Sequence, residues 1–252
     1  MIHSFYLDRG PVAQHGRAGD RDLMLLTTRS WVRNSKATKF PPGPSNFNIS
    51  PEKARIHAHL CGDGDLFIYI RKRSPSSRRT SWSKDTNFKV YTIEYNNMSL
   101  ALRKQFINDV KKTYGNVYIY ERSRGKITIR RKEIYEEMVK LCAKNSRKWR
   151  IPKEILNASN EIKSTWLEAF YDDEATVDVN HKRIDLKSVN LKGLKQVKLL
   201  VSDVGIRSYI NGPYERMWML RISSNEIKKF YETINFVHPS KKKKLKILVT
   251  AQ

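Results

Sequence analysis

The chain has 252 residues, of which 49 are Lys or Arg and 25 are Asp or Glu, so its formal net charge is +24. Hydrophobic residues make up 39% and charged residues 29%, which excludes a disordered tail, and no apolar run is long enough to predict a membrane-spanning helix. Because such an excess of positive charge repels itself unless a polyanion offsets it, we expect a nucleic-acid partner. A ribosomal protein would be equally basic, and the charge indicates nothing about catalysis.

The first residues lack a basic segment followed by an apolar core, so we expect no secretory signal. Cys61 and Cys142 are the only cysteines, too few for a disulfide framework or a four-cysteine zinc site. A cytoplasmic, nucleoid-associated protein is therefore expected. Residues 1–48 have no sustained periodicity and end in the turn-rich run Pro41-Pro42-Gly43-Pro44-Ser45, which predicts an N-terminal extension that need not be ordered.

Residues 49–146 have the pattern of seven elements in the order α-β-β-α-β-β-α. Ser50 followed by Pro51 is typical of a helix start, because Ser accepts a hydrogen bond from an early backbone N–H. Alternation of apolar residues after Asp65 has the period of a strand. The expected elements are a helix from Ser50 to about residue 64, strands at about 66–71 and 88–96, a helix at 99–113, a hairpin of 117–122 and 126–131, and a helix at 132–144.

After a linker at 147–160, residues 161–252 repeat this order as a second half. Two equivalent halves predict an α+β monomer, with a saddle of antiparallel strands and a pseudo-two-fold axis that matches the near-symmetry of duplex DNA. The expected elements are a helix at 161–174, strands at 175–180 and 183–189, a helix at 191–203, a hairpin that turns at Asn211-Gly212-Pro213 and returns at 217–222, and a helix capped by Ser223 or Ser224 that runs to about 234.

A carboxylate stands at the end of the first helix of each half, in Ala58-His59-Leu60-Cys61-Gly62-Asp63-Gly64 and in Ala169-Phe170-Tyr171-Asp172-Asp173-Glu174-Ala175. Small residues on one face of each helix would allow the two helices to pack closely, which would place Asp63 beside Glu174. Carboxylates that lie so close together repel unless cations separate them, and oxygen ligands suit Mg²⁺, with Mn²⁺ able to substitute. Metals so held can promote hydrolysis of a phosphodiester.

The two segments resemble the paired motifs of single-chain LAGLIDADG homing endonucleases, of the archaeal intron-encoded kind. The resemblance spans about residues 50–248 and includes Val204-Gly205-Ile206 and the stretch from Lys229 to Lys241. It implies sequence-specific double-strand cutting of DNA at a long site, with short 3′ overhangs. It also implies that Asp63 and Glu174 bind the metals, and we include the preceding Gly62 and Asp173 in the metal site.

The second motif departs from the family pattern, because Ala175 replaces a usual Gly and Asp173 replaces a small apolar residue. These departures leave open a cleavage-inactive alternative with the same fold. That alternative is either an RNA maturase, whose partner would be intron RNA, or a sequence-specific DNA-binding protein.

Basic side chains are expected to stabilise phosphate charge during cleavage, and by position we select Arg103, Lys192 and Lys241 as catalytic. Each of them is alternatively a solvated surface residue. Outward-facing strand side chains are expected to bind DNA, the bases above all, with Arg78 and Arg79 on phosphates. The DNA-binding set is Arg71, Arg73, Arg78, Arg79, Arg122, Arg124, Arg130, Asp178, Asn180, Lys182, Arg183, Asp185, Arg216 and Arg221.

Other conspicuous residues are expected to be inert. His57 and His59 are interpreted as packing or solvent residues rather than ligands. The run of lysines from Lys241 to Lys244 is interpreted as a solvated tail or a phosphate clamp. The aromatic and sulfur side chains Tyr118, Tyr120, Trp218 and Met219 are expected in the core rather than stacked on bases.

Overall fold

The structure is a computed structural model that describes residues 49–72, 87–141 and 147–251. None of the helices in these segments is long and apolar enough to cross a membrane. The N-terminal extension and four residues singled out above lie outside the described residues, namely Arg73, Arg78, Arg79 and Cys142.

The first half contains the expected seven elements, which are α1 (Pro51–Cys61), β1 (Gly64–Lys72), β2 (Asn87–Asn96), α2 (Leu100–Tyr114), β3 (Ile119–Arg122), β4 (Lys126–Ile129) and α3 (Lys132–Leu141). A short helix, α4 (Lys153–Leu156), lies in the linker. The second half consists of α5 (Asn160–Glu174), β5 (Ala175–Asp178), β6 (Arg183–Ser188), α6 (Leu191–Asp203), β7 (Tyr209–Tyr214), β8 (Met217–Ile222), α7 (Ile227–Thr233) and α8 (Pro239–Thr250).

Each half builds one four-stranded antiparallel sheet, in the order β1-β2-β4-β3 and β5-β6-β8-β7. Gly64 pairs with Tyr95 in the first sheet as Ala175 pairs with Leu186 in the second, so these positions are equivalent. Apolar residues on the inner face of each sheet, such as Ile93, are buried against the helices. The opposite face carries most of the charged strand residues, as the period of two requires. The two pseudo-symmetric halves and the α+β class are therefore confirmed.

The two acidic helices, α1 and α5, pack against each other through small residues, as expected. Ala58 and Ala169 are both buried. Ser50 caps α1 by accepting from the N–H of Lys53 at 3.2 Å, and Ser159 caps α5 by accepting from the N–H of Ile162 at 3.4 Å. α1 ends at Cys61 rather than at about residue 64, so Asp63 lies just beyond the helix. Glu174, by contrast, is the last residue of α5.

The hairpin of the second half turns at a different place from the one predicted. Tyr214 pairs with Met217, so the two-residue turn is Glu215-Arg216, and both residues have positive φ (48° and 68°). Such a turn matches the twist of a hairpin. The predicted turn at 211–213 lies instead within β7, where the pairing register shifts. A Gly-Pro pair is typical of a turn but is also compatible with such an irregularity in a strand.

Two further expectations were wrong. Tyr118 and Tyr120 are 72% and 40% exposed, and their rings pack edge to face 4.4 Å apart. Alternation along β3 explains this, since Ile119 between them faces inward. The lysines at 241–244 belong to α8 rather than to a tail, because Leu245 and Leu248 of this helix are buried in the core, while the alternative of a phosphate clamp stays a prediction. Trp218, by contrast, is half-buried against the core.

Candidate metal centre and nucleic-acid interface

Asp63 and Glu174 lie at the ends of the packed helices α1 and α5. The N–H of Gly62 donates to the carbonyl of Ala58 at 3.0 Å and closes α1, so the chain turns into β1 immediately after Asp63. Ala175 closes α5 in the same way through the carbonyl of Tyr171. Its backbone is extended (φ −89°, ψ 153°), so this position does not require glycine.

The charges of the two acids are poorly compensated by the protein. Burial, with the negative charge of Asp173, raises the pKa of Asp63 to about 6. Burial, with the charges of Asp63 and Asp173, raises the pKa of Glu174 to about 7. A cation between the carboxylates would relieve both effects, so the residues fit a metal ion.

A metal held by Asp63 and Glu174 would need further oxygen ligands. No group of three or more His, Cys, Asp or Glu suited to a metal occurs in the described parts of the chain. Backbone carbonyls and the oxygens of a bound phosphate are therefore the remaining candidates.

Asp173 lies between the two halves, and its carboxylate is fully buried. One oxygen, Oδ2, lies 2.8 Å from Nδ1 of His59. The other, Oδ1, accepts from the hydroxyl of Tyr95 at 2.9 Å and from the amide of Asn97 at 3.2 Å. Both oxygens are hydrogen-bonded within the protein, so the backbone carbonyl of Asp173, whose contact with Lys241 is long at 3.4 Å, is the better candidate for a metal ligand.

Gly62 makes room for this carboxylate. A Cβ at position 62 would lie 2.8 Å from the Cβ of Asp173, closer than real Cβ atoms approach. The small residue of the first motif therefore accommodates the large residue of the second.

Lys241, at the start of α8, lies at the end of α5. Its ammonium donates to the carbonyls of Tyr171, Asp172 and Asp173 at 3.2, 2.6 and 3.4 Å. Burial lowers the pKa of Lys241, while its positive charge lowers the pKa values of Asp63 and Glu174. The structure thus places Lys241 near both acids.

The loop that leads into α8 is bound to the end of α5 through Asp172. The carboxylate of Asp172 accepts from the N–H groups of Val237 and His238 at 2.9 Å each. These two bonds fix where α8 begins, and so they position Lys241.

The other two expected catalytic cations differ in their surroundings. Arg103 donates to Glu121 and to the carbonyls of Asn97 and Met98, so its guanidinium holds the loop that carries Asn97. Lys192 is exposed in the first turn of α6.

On the second sheet, four of the expected DNA-reading residues share the outer face. Arg221 donates to both oxygens of Asp185 at 2.6 and 3.0 Å, and Arg183 lies 3.1 Å from the same carboxylate. Asp178 contacts Arg183 at 3.3 Å. The pairs are cross-strand neighbours, so they also fix how the arginines point.

The remaining candidates lie on the first sheet or in turns. Arg71 and Arg122 are exposed on β1 and β3, and the guanidinium of Arg130 lies 5.3 Å from the ring centre of Tyr120. The residues placed in turns, all exposed, are Arg124, Asn180, Lys182 and Arg216.

The sequence interpretation missed the partners of Asp173, which are His59, Tyr95 and Asn97. One local signal was available for Asn97, whose Oδ1 accepts from the N–H of Ser99 at 2.8 Å. An Asn two residues before a helix-capping Ser is typical of such a turn. Nothing local indicates that the same side chain reaches Asp63 at 2.9 Å.

Comparison with known proteins is consistent with this architecture. A family model described as LAGLIDADG-like domain matches residues 161–235. No curated protein matches the chain.

Several solved structures share the fold at low sequence identity. I-DmoI in complex with DNA and Mn is 18% identical with a TM-score of 0.53, over 74% of this chain and 97% of that one. I-DmoI in complex with DNA and Ca is 18% identical with a TM-score of 0.55, over 78% and 97%. I-SmaMI bound to uncleaved DNA target in the presence of calcium ions is 10% identical with a TM-score of 0.50, over 81% and 92%. Residues 161–235 thus match the model of a LAGLIDADG-like domain, and the chain shares the fold of I-DmoI.

Proposed function

We propose that this protein is a homing endonuclease that makes metal-dependent double-strand cuts in DNA at a long specific site. The observation that supports this most strongly is the pair of acids, Asp63 and Glu174, at the neighbouring ends of α1 and α5. Burial and like charge raise the pKa of each, which is the situation that a divalent cation relieves.

Asp63 and Glu174 would hold Mg²⁺, with Mn²⁺ able to substitute, and the backbone carbonyls of Gly62 and Asp173 would add oxygen ligands. When bound, the metal supplies charge neutralisation at the scissile phosphate and activation of water. The divalent metals in the I-DmoI complexes are consistent with this assignment.

The basic side chains would act on the DNA phosphates. Lys241 is the strongest candidate for stabilising developing phosphate charge, because it is held beside both acids. Arg103 would act mainly through the loop that it holds, and Lys192 through exposed charge on α6.

The outer faces of the two sheets would bind the duplex. Arginines suit guanine edges and Asn suits adenine, while turn residues suit phosphates. Asp178 and Asp185 would orient Arg183 and Arg221 rather than accept from cytosine, because they already pair with these arginines. The complexes of I-DmoI with its target DNA are consistent with such a surface.

A single chain with two halves would act as a monomer, and a DNA target would place it with the nucleoid in the cytoplasm. An origin in an archaeal intron stays a prediction. The second candidate is a maturase or DNA-binding protein without cleavage, which would have intron RNA or DNA as its partner. The departures of Asp173 and Ala175 from the family pattern are the sequence features that raise this alternative.

The test is incubation of the full-length protein with DNA carrying the intronless form of its host gene, in Mg²⁺, in Ca²⁺ and in EDTA. We expect double-strand cuts in Mg²⁺ and binding without cuts in Ca²⁺. The double variant Asp63→Asn/Glu174→Gln should bind this DNA but leave it intact. Specific binding without cuts in any metal would contradict the proposal, and splicing of the intron RNA would then be assayed.

A further inference from the structure

The buried carboxylate of Asp173 is hydrogen-bonded by three side chains, all of them from the other half of the molecule. His59 is on α1, Tyr95 is on β2, and Asn97 lies in the loop that follows β2. A buried carboxylate near two others is unfavourable unless its oxygens are hydrogen-bonded, so these three donors explain how Asp173 is tolerated.

Asn97 connects this carboxylate to the catalytic site. Its Nδ2 donates to Oδ2 of Asp63 at 2.9 Å and to Oδ1 of Asp173 at 3.2 Å. Its Oδ1 accepts from the N–H of Ser99 at 2.8 Å, and its backbone N–H donates to the carbonyl of Gly125 at 3.1 Å. The amide therefore cannot turn away from Asp63 without losing bonds on both sides.

The second half lacks this arrangement within the residues that the structure describes. Ser188 is equivalent to Asn97, since each lies two residues after the equivalent strand positions. The hydroxyl of Ser188 accepts from the N–H of Asn190 at 3.1 Å, which reproduces the local turn. No described side chain donates to the carboxylate of Glu174, so only Asp63 is held in this way.

We propose that Asp173 is a positioning residue that, through Asn97, holds the carboxylate of Asp63 in the orientation for metal binding. This inference rests on the proposed metal-dependent nuclease function. It gives a role to Asp173, one of the two residues at which the second motif departs from the family pattern. On this reading the departure is an adaptation of the metal site.

The physical reason is the number of bonds that fix the Asn97 amide. Without Asp173, this amide would keep only its bonds to Ser99 and Asp63, so it would hold the Asp63 carboxylate less firmly. Partners of metal-binding side chains typically change metal affinity by about 10- to 100-fold when they are removed.

The test is calorimetric titration of Ca²⁺ into the full-length protein bound to its uncleaved target DNA. Asp173→Ala and Asn97→Ala should each weaken Ca²⁺ binding by about 10- to 100-fold. The double variant should be no weaker than Asn97→Ala alone, because both act through one contact. Asp173→Asn keeps an acceptor for Asn97 and should bind Ca²⁺ within about threefold of the original protein.

Tyr95→Phe is the matched control, since it removes one hydrogen bond from the Asp173 carboxylate without touching Asn97 or Asp63. It should leave Ca²⁺ affinity within about threefold. Metal-free DNA affinity and thermal unfolding establish that each variant is folded. If Asp173→Ala does not fold, Asp173→Ala/His59→Leu removes both members of the buried pair and takes its place.

The inference would be overturned, with the proposed function intact, by either of two results. One is Ca²⁺ binding by Asp173→Ala as tight as that of the original protein, and the other is losses of affinity that multiply in the double variant. A parent protein that neither takes up Ca²⁺ on DNA nor cuts in Mg²⁺ would overturn the proposed function, and this inference with it.

Discussion

The first and second motif helices have the same backbone surroundings but different side chains at equivalent positions. Around the end of α1 and its partner strand, the first half places His59, Tyr95 and Asn97, all of which hydrogen-bond to Asp173. The second half places Phe170, Leu186 and Ser188 at the equivalent positions.

The motifs differ in the same way, because Gly62 of the first motif and Asp173 of the second occupy equivalent positions and lie against each other. Sheet order and helix packing are shared by both halves, so they reflect the fold. The polar interior is not shared, so it reflects the site. A duplicated fold thus does not imply two equal copies of an active-site environment.

Apart from the two acids themselves, the largest effect is expected for Lys241, the cation beside them. Lys241→Met removes the positive charge held beside both acids and should slow cleavage by about 10²- to 10³-fold. Single-turnover cleavage measures this. Lys242→Met, an exposed neighbour, serves as the control. Cleavage by Lys241→Met at the original rate would show that this lysine only caps α5.

The close approach of Gly62 to Asp173 predicts an effect on stability. Gly62→Ala introduces a Cβ 2.8 Å from that of Asp173 and should lower the free energy of unfolding by about 1–3 kcal/mol. Chemical denaturation measures this loss. In an Asp173→Gly background the clash is gone, so the same substitution should cost less. An equal cost in both backgrounds would place the clash elsewhere.

The pKa values of the two acids predict opposite pH dependences for cleavage and for stability. With values of about 6 for Asp63 and 7 for Glu174, both take up protons as the pH falls, so cleavage should drop on the order of tenfold from pH 7.5 to 6. Initial rates at constant ionic strength and limiting Mg²⁺ measure this, because saturating metal would itself lower both pKa values. A flat profile would mean that neither acid titrates in this range.

Stability without metal should change in the other direction. The raised pKa values mean that the folded protein binds protons which the unfolded chain lacks, between the ordinary carboxyl values near 4 and about 7. These groups therefore favour folding as the pH falls through that range. Melting temperatures measured across this pH range in EDTA and in Ca²⁺ test this. The rise in melting temperature toward low pH should be smaller in Ca²⁺.

The smallest effect is expected at the other departure from the motif. Ala175→Gly restores the usual residue, but the extended backbone at this position already suits Ala. We expect a change in unfolding free energy of less than about 1 kcal/mol and no gain in cleavage. A large gain in cleavage would mean that Ala175 impairs the site.

The sequence was sufficient for the seven elements of each half, because these follow from local periodicity and helix capping. It was not sufficient for α4 and α8, since the lysine-rich run of α8 has the composition of a solvated tail. Asp63 and Glu174 were selected as candidate metal ligands because each stands at the end of a repeated helix pattern. The contact of Asn97 with Asp63 spans 34 residues and depends on tertiary packing, so no local pattern predicts it. The predicted position of the second hairpin turn was wrong because Gly212-Pro213 is compatible with an irregular strand as well as with a turn.

The most direct test of the central claim is strand-resolved cleavage of target DNA by Asp63→Asn and Glu174→Gln as single variants. The proposed function assigns both acids to one metal centre at the ends of α1 and α5, so either variant should stop the cutting of both strands. We expect a loss of about a thousandfold or more, with DNA binding retained. If either variant cuts both strands at the original rate, the two carboxylates do not form the catalytic centre.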